Sequence, residues 1–121
     1  MGGDAAPGEI VAGAVAAARD LQVTIRLVGL TSIVAAELAR VAGASVPANI
    51  SILDAAQVIG MDEAPLAALR RKPRASIKVA AEAVLRGEAD ALYSAGHTGA
   101  TLMAAHAAFG MLPGAARPAL A

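Results

Sequence analysis

Apolar residues after Pro7 return at intervals of three and four: Ile10, Val11, Ala14, Val15 and Ala18 share one helical face, with Glu9 near the start and Arg19 and Asp20 at the end. This spacing predicts a helix over Gly8–Asp20. From Val23 the period drops to two, with Val23, Ile25 and Leu27 alternating against Thr24 and Arg26, which is strand spacing ending at Gly29. Thr31 or Ser32 is placed to cap a second helix whose apolar face is Ile33, Val34, Leu38 and Val41 and which Gly43 can end. "NISIL", residues 49–53, reads as a second short strand. Asp62 precedes a short helix over 63–71, and Ser76 is placed to cap another that runs to Arg86 and stops at Gly87. "ADALYS", residues 89–94, is apolar enough for a third strand inside a sheet, and a last helix is expected over 98–111, before "LPG".

Strands alternating with helices call for parallel pairing through helical crossovers, the doubly wound α/β arrangement, in which ligands gather beyond the carboxyl ends of the strands. The pattern also wants a strand ahead of the first helix, yet "MGGD" is already a loop leading into it; "RPALA" is an apolar run with no closing element. The expectation is therefore one incomplete domain with an exposed sheet edge, without internal repeat or second-domain boundary.

The composition sharpens this picture. The chain has 121 residues, 57% of them hydrophobic but only 2% aromatic, so its core must be built from Ala, Val, Leu, Ile and Met. Ten basic and ten acidic residues cancel, which argues against a general nucleic-acid binder. The absence of cysteine excludes disulfides, thiolate zinc sites and cysteine nucleophiles, and fits a cytosolic setting. "MGGDAAPGEI" has no basic segment followed by an apolar run, so nothing reads as a secretory signal. The longest apolar tract, residues 99–116, is broken by His106, Gly110, Pro113 and Gly114 and reads as a buried helix with its exit loop rather than a membrane span.

Candidate chemistry concentrates in "SAGHTGA", residues 94–100. Two glycines three apart at a helix start place unpaired backbone N–H groups and the positive end of a helix dipole around one small space, where an anion such as phosphate would sit well. Ser94 and Thr98 add hydroxyl donors, and His97 is either a ring nitrogen able to act as donor or base or simply a hydrogen-bonded loop histidine, the reading the sequence favours. The competing reading is a tight turn with glycines chosen for helix-sheet packing and Thr98 as N-cap. The loop is neither G-x-G-x-x-G nor a Walker loop. In "MGGD", Gly2 and Gly3 can let backbone approach a ligand with Asp4 orienting a donor, or Asp4 can simply cap the first helix. "RRKPRASIK" carries Arg70, Arg71, Lys72, Arg74 and Lys78, either a site for phosphate or an acidic protein surface, or a solvated face partly neutralised by Asp62 and Glu63. No aromatic residue interleaves it, so nucleic acid is not the expected partner. His97 and His106, the two histidines, supply too few ligands for a metal site; His106, like Tyr93 and Phe109, is expected to pack in the interior.

Taken together, "MGGD" with Pro7, "VG" at Val28-Gly29, "MDEAPLAALRRK" from Met61, Ser76, "RGEADALYSAGHTGA" from Arg86 and the final "RPALA" resemble the bacterial phosphate acyltransferase (PlsX) family of phospholipid synthesis, in order and spacing, over essentially the whole chain. The resemblance covers about the amino-terminal third of a typical member, whose opening strand would end just before Met1. The family usually has Asn where this chain has His97; both side chains can donate a hydrogen bond.

The resemblance implies a three-layer α/β/α fold with a mostly parallel sheet, like isocitrate and isopropylmalate dehydrogenases and phosphotransacetylase, of which this is an incomplete amino-terminal part. It implies acyl transfer from acyl-carrier-protein thioester to inorganic phosphate, giving acyl phosphate for a downstream glycerol-3-phosphate acyltransferase. A cytoplasmic homodimer with loose peripheral association at the inner face of the membrane, and no metal or organic cofactor, goes with that. Gly96, His97, Thr98 and Gly99 are then the candidates for holding phosphate or the developing oxyanion, with Ser94, Gly2 and Gly3 supporting. Asp4, Lys72 and His97 are the weaker candidates for catalysis, and Arg70, Arg71, Lys72 and Arg74 for contact with the acidic carrier protein. The isolated 121 residues are expected to be inactive, the rest of the cleft being absent. Two other readings stay open: a non-catalytic α/β module binding a phosphorylated metabolite or nucleotide, and an inert truncated chain.

Overall fold

The computed structural model describes residues 2, 3 and 5–118. The element order is α1 (Gly8–Asp20), β1 (Ile25–Gly29), α2 (Thr31–Ala42), β2 (Ile50–Asp54), α3 (Pro65–Arg71), α4 (Ser76–Leu85) and α5 (Thr98–Phe109). The architecture is α/β. β1 and β2 pair in parallel, in a register running from Ile25 opposite Ile50 to Gly29 opposite Asp54, with α2 as the crossover between them.

The main core lies on one face of this pair. Val11 and Val15 of α1, Leu27 of β1, and Val34, Leu38 and Ala42 of α2 form one buried cluster, with Ile25, Ile50 and Ile52 packed against it. Alternation explains the choice: Ile25 and Leu27 point to the helices while Arg26 and Val28 point to the opposite face. Asn49 closes the bottom of this layer, its amide donating to the carbonyls of Ala18 and Val23. A second, smaller cluster of Ile59, Ala68, Ala75 and Ala100 joins the segment after β2 to α3, α4 and α5. Alanine serves here because small side chains let the helices and the loop approach closely. No methionine is among the buried described residues, so the expected contribution of Met to the core is not observed.

The third strand is not formed. Residues 89–94 run without regular structure or backbone pairing, and Tyr93, expected inside, is 85% exposed. The cause is the space beside them. Ile25 N–H donates to Asn49 and Gly29 C=O accepts from Ala55, so the Arg26 and Val28 peptide groups of β1 face away from β2. Between that edge and residues 91–96 lies a cavity of about 970 Å³, walled also by Ile10 and Ala14 of α1 and Ile77 and Ala80 of α4. Residues 89–94 thus have apolar content but no backbone hydrogen-bond partner among the described residues. Arg26 reaches Glu88 at 3.0 Å, and this ion pair tethers the start of the segment to β1.

Several finer expectations are also corrected. Thr31, Ser76 and Thr98, expected as caps, each stand one position inside their helices, behind Leu30, Ala75 and His97. α3, expected from residue 63, begins at Pro65 behind Ala64. Ile33 is exposed, the buried stripe of α2 being Val34, Leu38 and Ala42. α5 buries only Ala100 and Ala104; His106 is exposed and Phe109 is 47% exposed, so the helix is apolar but not interior. The core assignment yields a test. Leu38→Ala in the full-length protein is expected to cost ~2–5 kcal/mol in chemical denaturation, whereas Leu112→Ala, at a side chain 79% exposed, should change stability by less than ~0.5 kcal/mol.

Candidate functional site at the glycine loops

Two loops converge beyond the carboxyl end of β1. A Cβ placed on Gly2 would lie 3.0 Å from the Gly96 Cα, and one on Gly96 would lie 3.0 Å from the Gly2 Cα and 3.2 Å from its carbonyl carbon. Gly3, at φ 113°, has the Ala95 carbonyl oxygen 3.0 Å from where its Cβ would be. The structure therefore brings "GG" of the first loop and "AG" of the second together, backbone against backbone. These glycines are explained by that approach. Asp4, the remaining candidate of the first loop, lies outside the described residues.

Within the second loop, Gly96 N–H donates to the Ser94 hydroxyl at 3.2 Å, and Thr101 donates to the same oxygen at 3.3 Å. His97 is the N-cap of α5: its Nδ1 accepts from Ala100 N–H at 3.4 Å, while Nε2 lies 3.0 Å from the Glu63 carbonyl oxygen. The first-turn amides of Thr98 and Gly99 have no hydrogen-bond partner among the described residues. They form the positive end of a twelve-residue helix with no acidic side chain in its first turn. Gly99 is also fitted to α3: a Cβ there would lie 3.0 Å from Pro65 Cγ. Gly2, Ser94, Gly96 and His97 line the upper part of the cavity; Gly3, Thr98 and Gly99 do not.

α2 offers the contrast. Its first N–H, at Thr31, and the Thr31 hydroxyl both donate to Asp54 Oδ1, at 3.4 and 2.8 Å, and Arg74 binds the other carboxylate oxygen at 3.0 Å. The protein's own carboxylate occupies this helix end. The Thr31 hydroxyl bond, with the Thr31 amide and Arg74, holds the Asp54 carboxyl below its usual range.

The basic run is largely engaged by the protein itself. Lys72 donates to the Val58 carbonyl at 2.7 Å and to Glu63 Oε1, and Arg71 stands 4.0 Å from Glu63 Oε2. Glu63 also accepts from Gly60 N–H at 2.7 Å. The Lys72 hydrogen bond, then the Gly60 amide, depress the Glu63 carboxyl. Arg74 is fixed through its main chain as well, by Gln57 Oε1 at 2.9 Å. Arg70, Arg71 and Arg74 are exposed, and neither Arg70 nor Lys78 makes an ion pair among the described residues. Sequence reading had placed Glu63 only as a neutralising neighbour; its role as the hub joining Gly60, Lys72 and, by its carbonyl, His97 depends on contacts between loops. Asp54 carried no sequence signal beyond ending a strand. Among the described residues no group of three or more His, Asp or Glu is arranged to hold a metal ion, and no helix is long and apolar enough to cross a membrane.

Comparison with known proteins decides the family. The sequence model of the family described as "fatty acid synthesis protein" matches residues 1–121. The chain belongs to this family. It is 48% identical over 120 residues to a protein of Nostoc sp. named phosphate acyltransferase, covering 99% of this chain and 34% of that protein. A phosphate acyltransferase of Heliobacterium modesticaldum is 47% identical over 121 residues, 100% of this chain and 36% of its own length. One from Gloeothece citriformis is 46% identical over 120 residues, 99% of this chain and 33% of its own length. The chain thus spans about a third of the length of the curated relatives it matches.

Two outcomes follow from the geometry. Gly96→Ala forces a methyl group into main-chain atoms that cannot swing aside, and is expected to cost ~1–3 kcal/mol in denaturation of the full-length protein. Asp54, Glu63 and Glu88 all have carboxyls below their unfolded values, so their stabilisation is fully present above about pH 4 and is lost as pH falls through the lower folded values. Melting temperature should therefore fall on acidification in that window, and Asp54→Asn should flatten the slope.

Proposed function

We propose that the full-length protein is a phosphate acyltransferase, moving a fatty acyl group from the thioester of acyl-carrier protein to inorganic phosphate and forming acyl phosphate for phospholipid synthesis. The observation that carries this reading is similarity along the whole chain to proteins named phosphate acyltransferase. The geometry of α5 supports it. Phosphate held at the Thr98 and Gly99 amides gains from their hydrogen bonds and from the helix dipole, with the Thr98 hydroxyl beside them. One phosphate oxygen then attacks the thioester carbonyl carbon, the C–S bond breaks, and the carrier thiol leaves with a proton. Phosphate is itself the nucleophile, so positioning and charge stabilisation supply the catalysis and no acyl-enzyme is needed. Exposed Arg70, Arg71 and Arg74 suit the acidic carrier protein. Lys72, bound to Glu63 and Val58, serves the site by holding the 58–63 turn.

This reading extends to architecture. The chain is the amino-terminal part of a three-layer α/β/α domain of the isocitrate and isopropylmalate dehydrogenase type, acting as a cytoplasmic homodimer with peripheral membrane association. An extended segment from the rest of the protein fills the cavity beside β1, pairing with the outward Arg26 and Val28 peptide groups on one side and residues 91–94 on the other. The apolar walls from α1 and α4 support this. In the full-length protein the Arg26 and Val28 amides should exchange with deuterium as slowly as Leu27; exchange at loop rates would remove the strand.

Thr98→Pro tests the phosphate site cleanly. Position N1 accepts proline, and the preceding His97 already has the extended conformation that proline imposes, at φ −64° and ψ 103°. The substitution deletes the Thr98 amide donor together with the Thr98 hydroxyl, both of which this reading places at the anion, and leaves the backbone path unchanged. Phosphate KM of the full-length enzyme should rise ~10-fold or more, as for loss of a hydrogen bond to a charged group; unchanged phosphate saturation would place the anion elsewhere. Tighter binding of adenine nucleotides than of phosphate would favour a non-catalytic binding module instead.

A further inference from the structure

The imidazole of His97 has both of its nitrogens committed. Ala100 N–H can donate only to a ring nitrogen that carries no proton, so Nδ1 is the acceptor and Nε2 bears the hydrogen that is donated to the Glu63 carbonyl at 3.0 Å. That carbonyl belongs to a residue itself pinned, its side chain held by the Gly60 amide and by Lys72, which also reaches the Val58 carbonyl. The ring lies against Gly99, where a side chain would meet it: a Cβ there would stand 3.3 Å from His97 Cε1. Below it the Ile59, Ala68, Ala75 and Ala100 cluster locks α3 to α5.

We propose that His97 is a positioning residue: through a single neutral tautomer it latches the first turn of α5 to the 60–63 turn, and so sets the direction of the Thr98 and Gly99 amides toward phosphate. The inference rests on the phosphate acyltransferase reading and departs from the expectation that the histidine itself touches the anion, because no ring nitrogen is left to do so. Two separable contacts make up the latch. Asparagine at this position keeps an acceptor at the height of Nδ1 and can cap Ala100, but is too short to reach the Glu63 carbonyl. Glutamine reaches further and can donate to Glu63 while giving up the cap geometry.

The experiment uses the full-length protein and the variants His97→Asn, His97→Gln and His97→Ala, with thermal melting as the control for folding. Nitrogen NMR of wild type should show His97 as the neutral Nε2–H tautomer, and the Ala100 amide should lose exchange protection in His97→Ala but keep it in His97→Asn. Phosphate KM should rise ~2–10-fold for His97→Asn and His97→Gln and further for His97→Ala, each lost contact acting as an ordinary hydrogen bond, with kcat at saturating phosphate nearly constant. The opposite tautomer, or equal phosphate KM in wild type and His97→Ala, overturns the latch. So does a collapse of kcat at constant KM, which would put the ring on the reacting atoms. A wild-type protein without phosphate-dependent acyl transfer sinks the reaction and the link to phosphate, while the tautomer and the Ala100 protection decide the latch separately.

Discussion

Gly2 and Gly96 approach so closely that neither position can carry a side chain, and this contact fixes the loop entering α1 against the loop entering α5. The rim of the candidate site depends on it. If the two loops separated, Ser94 and His97 would lose their place above the cavity, and the start of α5 would be held only from the α3 side. The approach is possible because main-chain atoms meet main-chain atoms; the pairing of Gly3 with the Ala95 carbonyl extends the same constraint by one residue. Glycine is retained here for contact within the protein, and the anion-attracting amides lie a few residues further on, at Thr98 and Gly99.

The two apolar clusters divide the labour. The larger one, of Val and Leu with one Ala and with Ile25, Ile50 and Ile52 packed against it, holds α1 and α2 to the β1–β2 pair. The smaller one is mostly alanine and has little apolar area to bury, so polar links supplement it: Lys72 to Val58 and Glu63, Glu63 to Gly60, and His97 to Glu63. The Glu63–Gly60 bond closes the turn itself, and the others tie the 58–63 segment to the end of α3 and the start of α5. A small core that cannot hold loops by packing alone thus has them fixed by hydrogen bonds, which have direction and therefore set the orientation of α5 as well as its position.

How far the sequence was legible follows from which interactions are local. The 3.6-residue period and the Pro7 start placed α1 on its observed residues, and Gly43 marks the end of α2 as expected, whereas α5 stops at Phe109, with Gly110 as its C-cap, short of the expected 111. β1 begins at Ile25 rather than Val23, because pairing with β2 begins only there. Residues 89–94 show the limit of composition: Ala, Leu and Tyr suit a sheet interior, but a strand exists only where another backbone answers its N–H and C=O groups, and beside them lies a cavity. The helix starts failed for a related reason. Thr31 was read as a cap from its own neighbourhood, whereas its hydroxyl turns to Asp54, 23 residues away. In the site, the glycine loop and the basic run were visible as motifs; their mutual bracing through Glu63 was not, since it joins side chains and carbonyls from three separate segments.

The occupation of α2 by Asp54 has an electrostatic consequence. The chain has satisfied the positive end of α2 with its own carboxylate, itself countered by Arg74, while the Thr98 and Gly99 amides at the start of α5 have no partner among the described residues. For an anion, the start of α2 is thus already filled by a salt-bridged carboxylate, whereas the start of α5 presents those two amides.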